Sequence, residues 1–167
     1  SRPEGIGEQP NIYILHGELT DVELQRIYMN PKVKAFVSFS HGEGLGRPQL
    51  LQTLSGKPQL MSGWSGNLEF MNPEFANLLP GTLLQVSPGQ ANPYLLKEAK
   101  WFQVDYRKAS EKMKDVFQSY DEYLPAAQKL KEENMHKFTM EKMKKRFSEI
   151  LDQYVPKFPS TAPVILP

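Results

Sequence analysis

The sequence contains no cysteine, no long apolar run and no strong excess of either charge. Without cysteine, the chain can form neither a disulfide framework nor a site that uses thiolate ligands or a thiolate nucleophile. No apolar stretch approaches the roughly 20 residues that a helix needs to cross a bilayer, and no signal peptide is visible. Lysine and arginine total 20 against 19 acidic residues, and this balance gives no electrostatic reason to expect a nucleic-acid partner. We therefore expect a cytoplasmic protein without a transmembrane segment.

The first part of the chain alternates between strand and helix patterns. Short apolar runs predict strands at residues 11–15, 33–39 and 59–61. Thr20 and Glu23 have the spacing of a capping box, which predicts a helix between the first two strands. This alternation predicts an α/β fold with a parallel, doubly wound sheet flanked by helices.

The second part of the chain is predicted to be mainly helical. A further strand is expected at residues 81–86, a loop at residues 87–93, and Asp105 is a candidate N-cap for the helices that follow. A second helix is expected at about residues 122–133, and a third begins near Thr139. Apolar positions at helical spacing predict buried faces, for which core packing is the expectation. They are Ala109, Met113, Val116, Phe117 and Tyr120 in the first helix, and Met143, Phe147, Ile150, Leu151 and Tyr154 in the last.

The composition along the chain predicts three regions. Residues 1–10 are polar and are expected to be a disordered lead-in, residues 11–155 an α/β domain, and residues 156–167 an extended, Pro-rich tail. At 167 residues the chain is long enough for one domain with a proper core.

A glycine-rich segment after the second predicted strand is the strongest functional signal. Gly42, Gly44 and Gly46 would let a ligand approach the backbone closely, although a tight turn between strand and helix explains the same glycines. Pro48 is suited to the first turn of the following helix, whose unpaired N–H groups favour a phosphate, and Gly56 is placed to end that helix. Glu43 would repel an anion, so it is expected to serve something other than phosphate binding; it could accept hydrogen bonds from sugar hydroxyls.

Two other loops follow predicted strands, and ligands of doubly wound sheets lie beyond the carboxyl ends of strands. In the loop at residues 62–67, Trp64 either covers the core, or the backbone N–H groups meet a sugar or phosphate. His16 follows the first strand and is either a structural residue or part of the site. His41 either contacts the ligand or caps the glycine-rich loop.

Three sequence segments together carry a resemblance to a known family. SHGEGLGRP at residues 40–48, SGKP at 55–58 and GWSG at 63–66 resemble the donor-binding half of group 1 (family 4-like) retaining glycosyltransferases. The resemblance extends from Asn11 to about Tyr154. It implies the C-terminal, Rossmann-like half of the two-domain GT-B fold, and transfer of a hexose from a nucleotide diphosphate sugar. The nucleotide diphosphate sugar would be the donor substrate, and no cofactor is expected. No metal is expected either, since the sequence shows no carboxylate cluster suited to one.

The resemblance also implies a set of site residues. Glu43 is the candidate catalytic-site residue, which would orient the sugar without acting as the nucleophile. The candidate substrate-binding residues are Ser40, His41, Gly42, Gly44, Leu45, Gly46, Arg47, Gln52, Gly63, Trp64, Ser65, Gly66, His16 and Gly17.

Two departures from the family pattern leave alternatives open. Leu51 stands where the family usually has a second glutamate that holds the ribose, so either Gln52 or another group contacts the ribose, or nucleotide binding is weakened. The arginine and lysine that hold the diphosphate in the family lie before the part resembled here. We therefore expect this chain by itself to transfer sugar negligibly. The alternatives are a non-catalytic nucleotide-sugar-binding module and a fragment completed by an acceptor domain or a partner chain. The acceptor, whether glycan, protein or lipid, stays open.

Overall fold

The structure, a computed structural model, describes residues 10–90, 96 and 98–156. The chain divides into two compact units, one ending at Val33 and one beginning at Lys34. The predicted lead-in except Pro10, the predicted tail after residue 156, and the last three residues of the predicted loop at 87–93 lie outside the described residues.

The first unit contains one helix, α1 (Asp21–Met29), in its described part. The predicted capping box is confirmed. The Glu23 N–H donates to Thr20 Oγ1 at 3.3 Å, and the Thr20 N–H donates to a carboxylate oxygen of Glu23 at 2.9 Å. Hydrogen bonds from Thr20 hold the pKa of the Glu23 carboxyl below its usual value. The helix ends at Met29 with Asn30 as its C-cap, which agrees with the proline that follows.

The strand predicted at residues 11–15 is wrong. These residues form no strand, and Ile12, Tyr13 and Ile14 are 85%, 88% and 89% exposed. The run has the composition of a strand, but a strand also needs a neighbour that pairs with its backbone groups, and composition does not supply one.

The second unit is built on a parallel sheet of three strands. These are β1 (Phe36–Ser38), β2 (Gln59–Ser62) and β3 (Asn77–Leu79), in the spatial order β1-β2-β3. The helix α2 (Arg47–Thr53) connects β1 to β2, and a short 3₁₀ turn lies between β2 and β3. The strands predicted at residues 33–39 and 59–61 are confirmed with shifted ends. All four residues of the central strand are buried.

The next two strands do not extend this sheet. β4 (Gly81–Gln85) and β5 (Lys100–Val104) pair antiparallel with each other. The strand predicted at residues 81–86 is therefore confirmed, whereas a doubly wound, fully parallel sheet is not what the described residues form. The part of the chain that the structure describes is mixed α/β, with five α-helices and a small parallel sheet.

Three helices complete the second unit: α3 (Tyr106–Gln118), α4 (Tyr120–Lys137) and α5 (Met140–Tyr154). Asp105 caps α3 as predicted, since its carboxylate accepts from the N–H groups of Arg107 at 3.0 Å and Lys108 at 3.1 Å. The helix predicted at about residues 122–133 corresponds to α4, which extends beyond that range at both ends. Two apolar clusters form the core. One contains Leu60, Leu79, Phe102, Val104, Ala109 and Val116, and the other contains Leu50, Met61, Phe70, Met71 and Leu130.

The apolar face of α5, which the sequence predicts to be buried, is exposed instead. Its residues Met143, Phe147, Ile150, Leu151 and Tyr154 are between 38% and 71% exposed. In α3, Ala109 and Val116 are buried as predicted, but Met113 and Phe117 are 42% and 85% exposed. Helical spacing places apolar side chains on one face without determining what covers that face, so core packing was the wrong expectation for these residues.

Candidate functional site

Two loops at the carboxyl ends of β1 and β2 are joined at Glu43. We call residues 40–46 the glycine loop and residues 63–66 the tryptophan loop. The Glu43 N–H donates to Ser65 Oγ at 2.9 Å, and the same hydroxyl donates to the Glu43 carbonyl at 2.6 Å. The Gly66 N–H donates to that carbonyl as well, at 3.0 Å. The backbone N–H and the backbone carbonyl of Glu43 are thus both held by the tryptophan loop.

The close approach of the two loops explains the conformation of the tryptophan loop. A Cβ at Gly66 would overlap the backbone of Gly44 and the carbonyl of Glu43, so glycine is required there. Ser65 has a φ of 67°, in the left-handed region that few residues other than glycine adopt. The two hydrogen bonds of its hydroxyl to Glu43 compensate for this backbone strain.

The carboxylate of Glu43 is held by a residue of α2. Gln49 Nε2 donates to Glu43 Oε1 at 2.9 Å and lies 3.5 Å from Ser38 Oγ on β1. Sequence reasoning missed Gln49. The only available signal was its place in the first turn of the helix that follows the glycine loop.

Gly46 begins α2 in a conformation that suits glycine. Its φ is 85°, and a Cβ would lie 2.7 Å from Asn67 Oδ1 and 3.2 Å from Gln49 Oε1. Pro48 lies in the first turn of α2, and Gly56, with a φ of 69°, follows the end of the helix; both placements confirm the prediction. Arg47 is the first residue of the helix and is exposed.

A buried amide lies beneath the two loops. Asn67 has no exposed surface, and its Nδ2 donates to Ser62 Oγ at 3.3 Å. The hydroxyls of Ser62 and Ser40 lie 3.5 Å apart. Ser40, a predicted ligand contact, thus faces the hydroxyl of the neighbouring strand end. Within the described residues, Asn67 Oδ1 has no hydrogen-bond partner.

His41 is anchored to the antiparallel strands. Its Nδ1 lies 2.7 Å from the Phe102 carbonyl, and the Phe102 N–H donates to the His41 carbonyl at 3.1 Å. A carbonyl only accepts, so Nδ1 is the nitrogen that carries a proton. The imidazole also stacks on Trp101, with ring centroids 4.2 Å apart. These contacts fix the glycine loop to β5. A contact of His41 with a ligand stays a prediction.

The tryptophan loop supplies fewer free N–H groups than its sequence suggests. The Gly63 N–H donates to the Leu79 carbonyl of β3 at 2.9 Å, and the Gly66 N–H is already bound to Glu43. These two N–H groups are therefore already paired within the protein. A ligand contact of Gly63 or Gly66 through other atoms stays a prediction. Trp64 lies parallel to Phe102, with centroids 5.9 Å apart, and remains 39% exposed. Its ring covers a core residue and also faces solvent.

The remaining predicted residues lie in different places. Gly42, Gly44 and Leu45 are exposed on the glycine loop, and a Cβ at Gly44 would meet nothing within 4 Å. Gln52 lies in the last turn of α2, so its contact with a ribose stays a prediction. His16 and Gly17 belong to the first unit, and their part in this site stays a prediction too.

The described residues contain no group of three or more His, Asp or Glu side chains suited to hold a metal ion. None of the helices in the described ranges is both long and apolar enough to cross a membrane. No family model and no curated protein matches this chain.

Proposed function

We propose that the second unit binds a nucleotide diphosphate sugar and is the donor half of a retaining, GT-B-type glycosyltransferase. The three segments that resemble group 1 enzymes support this proposal, and two of them form the joined loops. The observation that carries it is the clamp on Glu43 at the carboxyl ends of two parallel strands. That end of a parallel sheet is where ligands of α/β proteins bind.

In this proposal Glu43 orients the sugar. A hexose presents several hydroxyl donors. A carboxylate whose backbone is already held by the neighbouring loop is a strong acceptor that needs little rearrangement on binding. The leaving diphosphate needs positive charge and hydrogen-bond donors instead. Arg47 is exposed at the start of α2, directly after the glycine loop, and is the candidate cation for that role.

The test is a calorimetric titration of the protein with nucleoside diphosphates and their hexose conjugates. Uridine, adenosine and guanosine diphosphates with glucose or mannose cover the common chemistries of base and sugar. We expect at least one conjugate to bind more tightly than its bare diphosphate. A panel in which no compound binds at millimolar concentration would refute the proposal.

A second candidate function is a module that binds the nucleotide sugar without transferring it. The observation that favours it is Leu51, an apolar side chain that is 40% exposed on α2 where the resembled enzymes have a glutamate. An assay for release of the diphosphate, with glycan, peptide and lipid acceptors and with water alone, separates the two functions. A pure binder gives the calorimetric signal and no product, and the transferase gives both.

A further inference from the structure

We infer that Gln49 is a positioning residue that aims the carboxylate of Glu43 at the sugar. This inference rests on the proposed function, and it concerns a residue that touches the ligand only through Glu43. Its basis is the hydrogen bond of 2.9 Å from Gln49 Nε2 to Glu43 Oε1.

The amide of Gln49 is held in one orientation by its neighbours. Its Nε2 faces two acceptors, the Glu43 carboxylate and the Ser38 hydroxyl oxygen, at 2.9 Å and 3.5 Å. The reversed amide would place its oxygen against a carboxylate oxygen, and the two would repel each other. The orientation shown is therefore the one that the hydrogen-bond network selects.

The same orientation leaves the other end of the amide without a partner. Gln49 Oε1 is buried and accepts no hydrogen bond within the described part of the chain. It faces Gly46, where any side chain would crowd it, since a Cβ would lie 3.2 Å away. The contacts of the amide are therefore made through its N–H₂ group. The absence of a side chain at Gly46 leaves room for its oxygen.

Glu43 is consequently fixed at both ends. Ser65 and Gly66 bind its backbone, and Gln49 binds one of its two carboxylate oxygens. The second oxygen is the one that a sugar hydroxyl would reach. Because the side chain loses little freedom when the sugar binds, a fixed carboxylate favours the sugar more than a freely rotating one does.

The test compares nucleotide-sugar affinity with bare-diphosphate affinity in four proteins: wild type, Gln49→Met, Glu43→Gln and the exchange variant Glu43→Gln/Gln49→Glu. Methionine keeps the length of Gln49 and removes its donor. The exchange variant can re-form the hydrogen bond with donor and acceptor reversed, but it moves the charge from position 43 to position 49. The ligand is the nucleoside diphosphate hexose that binds wild type best, and thermal unfolding of each protein is recorded as well.

We expect Gln49→Met to lower the ratio of the two affinities at least threefold while the bare diphosphate binds as in wild type. In the exchange variant we expect an unfolding temperature closer to that of wild type than Glu43→Gln has. We expect the ratio of nucleotide-sugar affinity to bare-diphosphate affinity to stay low. A purely structural role would change both affinities together and restore them together, which would overturn the inference. So would an unchanged ratio in Gln49→Met when Glu43→Gln lowers it. If wild type binds no nucleotide sugar, the proposed function fails first, and the inference fails with it.

Discussion

At the scale of single residues, the proposed chemistry depends on where the Glu43 carboxylate is held. Its backbone N–H and carbonyl are both bound by Ser65, and one carboxylate oxygen is bound by Gln49. No other acidic side chain of the joined loops competes with it, since the remaining described loop residues are glycine, serine, histidine, leucine and tryptophan. A single carboxylate suits a neutral ligand with hydroxyl groups better than it suits a metal ion.

Glu43→Gln should weaken binding of the nucleotide sugar more than binding of the bare diphosphate. A hydrogen bond to a charged acceptor contributes roughly 1.5–3 kcal/mol, so a loss of about tenfold or more in sugar-dependent affinity is expected. Titration calorimetry with both ligands measures it. Glu74→Gln, an exposed carboxylate outside both loops, is the control and should change neither affinity. Equal losses for the two ligands in Glu43→Gln would make Glu43 a structural residue of its loop.

The glycines of the glycine loop should differ in their response to substitution. Gly46→Val should destabilise the fold by more than about 1 kcal/mol, because φ is 85° and a Cβ would lie 2.7 Å from Asn67 Oδ1. Gly44→Ala meets open space and should change the free energy of unfolding by less than about 0.5 kcal/mol. A phosphate or sugar that approaches the backbone at Gly44 should nevertheless bind less tightly to Gly44→Ala. Denaturant unfolding and titration of both variants would show whether the two effects separate in this way.

At the scale of elements, a buried polar side chain links α4 to distant segments, and another polar side chain caps α3. Asn134 on α4 is 1% exposed, and its Nδ2 donates to Thr53 Oγ1 and to the Phe70 carbonyl, both at 3.0 Å. It therefore links α4 to the end of α2 and to the segment before β3, which are far from it in sequence. Asp105 acts locally at the start of α3, where it accepts two backbone N–H groups.

Asn134→Ala should lower the free energy of unfolding by about 1–3 kcal/mol, since the buried Phe70 carbonyl loses its side-chain donor. Gln128→Ala is the matched control on the same helix. Gln128 also donates to a backbone carbonyl, that of Gly56 at 3.1 Å, but it is exposed and water can replace it. Urea unfolding of the two variants should show a clear loss for the first and almost none for the second. Equal effects would contradict the assigned role of Asn134.

The cap of α3 should make stability depend on pH on the acid side. The hydrogen bonds from the Lys108 and Arg107 N–H groups hold the pKa of the Asp105 carboxyl below its usual value of 3.8. A lowered pKa contributes stability that is fully present above 3.8 and is lost as pH falls through the folded-state pKa. The stability difference between wild type and Asp105→Asn should therefore shrink below about pH 4. Thermal unfolding in neutral and in acidic buffer measures it, and a difference that stays constant would contradict the assignment.

At the scale of the whole molecule, burial and apolar character are distributed unequally among the helices. Residues of α3 belong to one core cluster and a residue of α4 to the other, whereas α5 contributes no buried residue. The exposed face of α5 carries large side chains, Phe147 among them at 62% exposure. The apolar burial that stabilises the second unit therefore comes mainly from the two sheets, from the segment that contains Phe70 and Met71, and from α2, α3 and α4.

Two phenylalanines test this distribution. Phe70 is 2% exposed in the cluster with Met61 and Leu130, so Phe70→Ala should cost about 3–5 kcal/mol. Phe147→Ala removes the same atoms from an exposed position and should cost less than about 0.5 kcal/mol. Chemical denaturation gives both values. A large loss in Phe147→Ala would show that the face of α5 is covered in solution.

Local interactions account for what could be predicted from the sequence. The capping box of Thr20 and Glu23, the Asp105 cap, and the positions of Pro48 and Gly56 around α2 follow from contacts within a few residues. The strands on either side of the glycine loop could be recognised for the same reason, since their composition is apolar and their boundaries carry turn residues.

The tertiary structure alone decided the pairings and the burial. The run at residues 11–15 has no strand partner among the described residues, β4 and β5 pair with each other instead of joining the parallel sheet, and the apolar face of α5 is exposed. At the candidate site, sequence reasoning identified the two loops and Glu43. It could not show that Gln49 holds the carboxylate or that β3 already uses the Gly63 N–H. A sequence pattern records which groups need a partner, but the partner of a buried or hydrogen-bonded group is chosen by the packing of segments far apart in the chain.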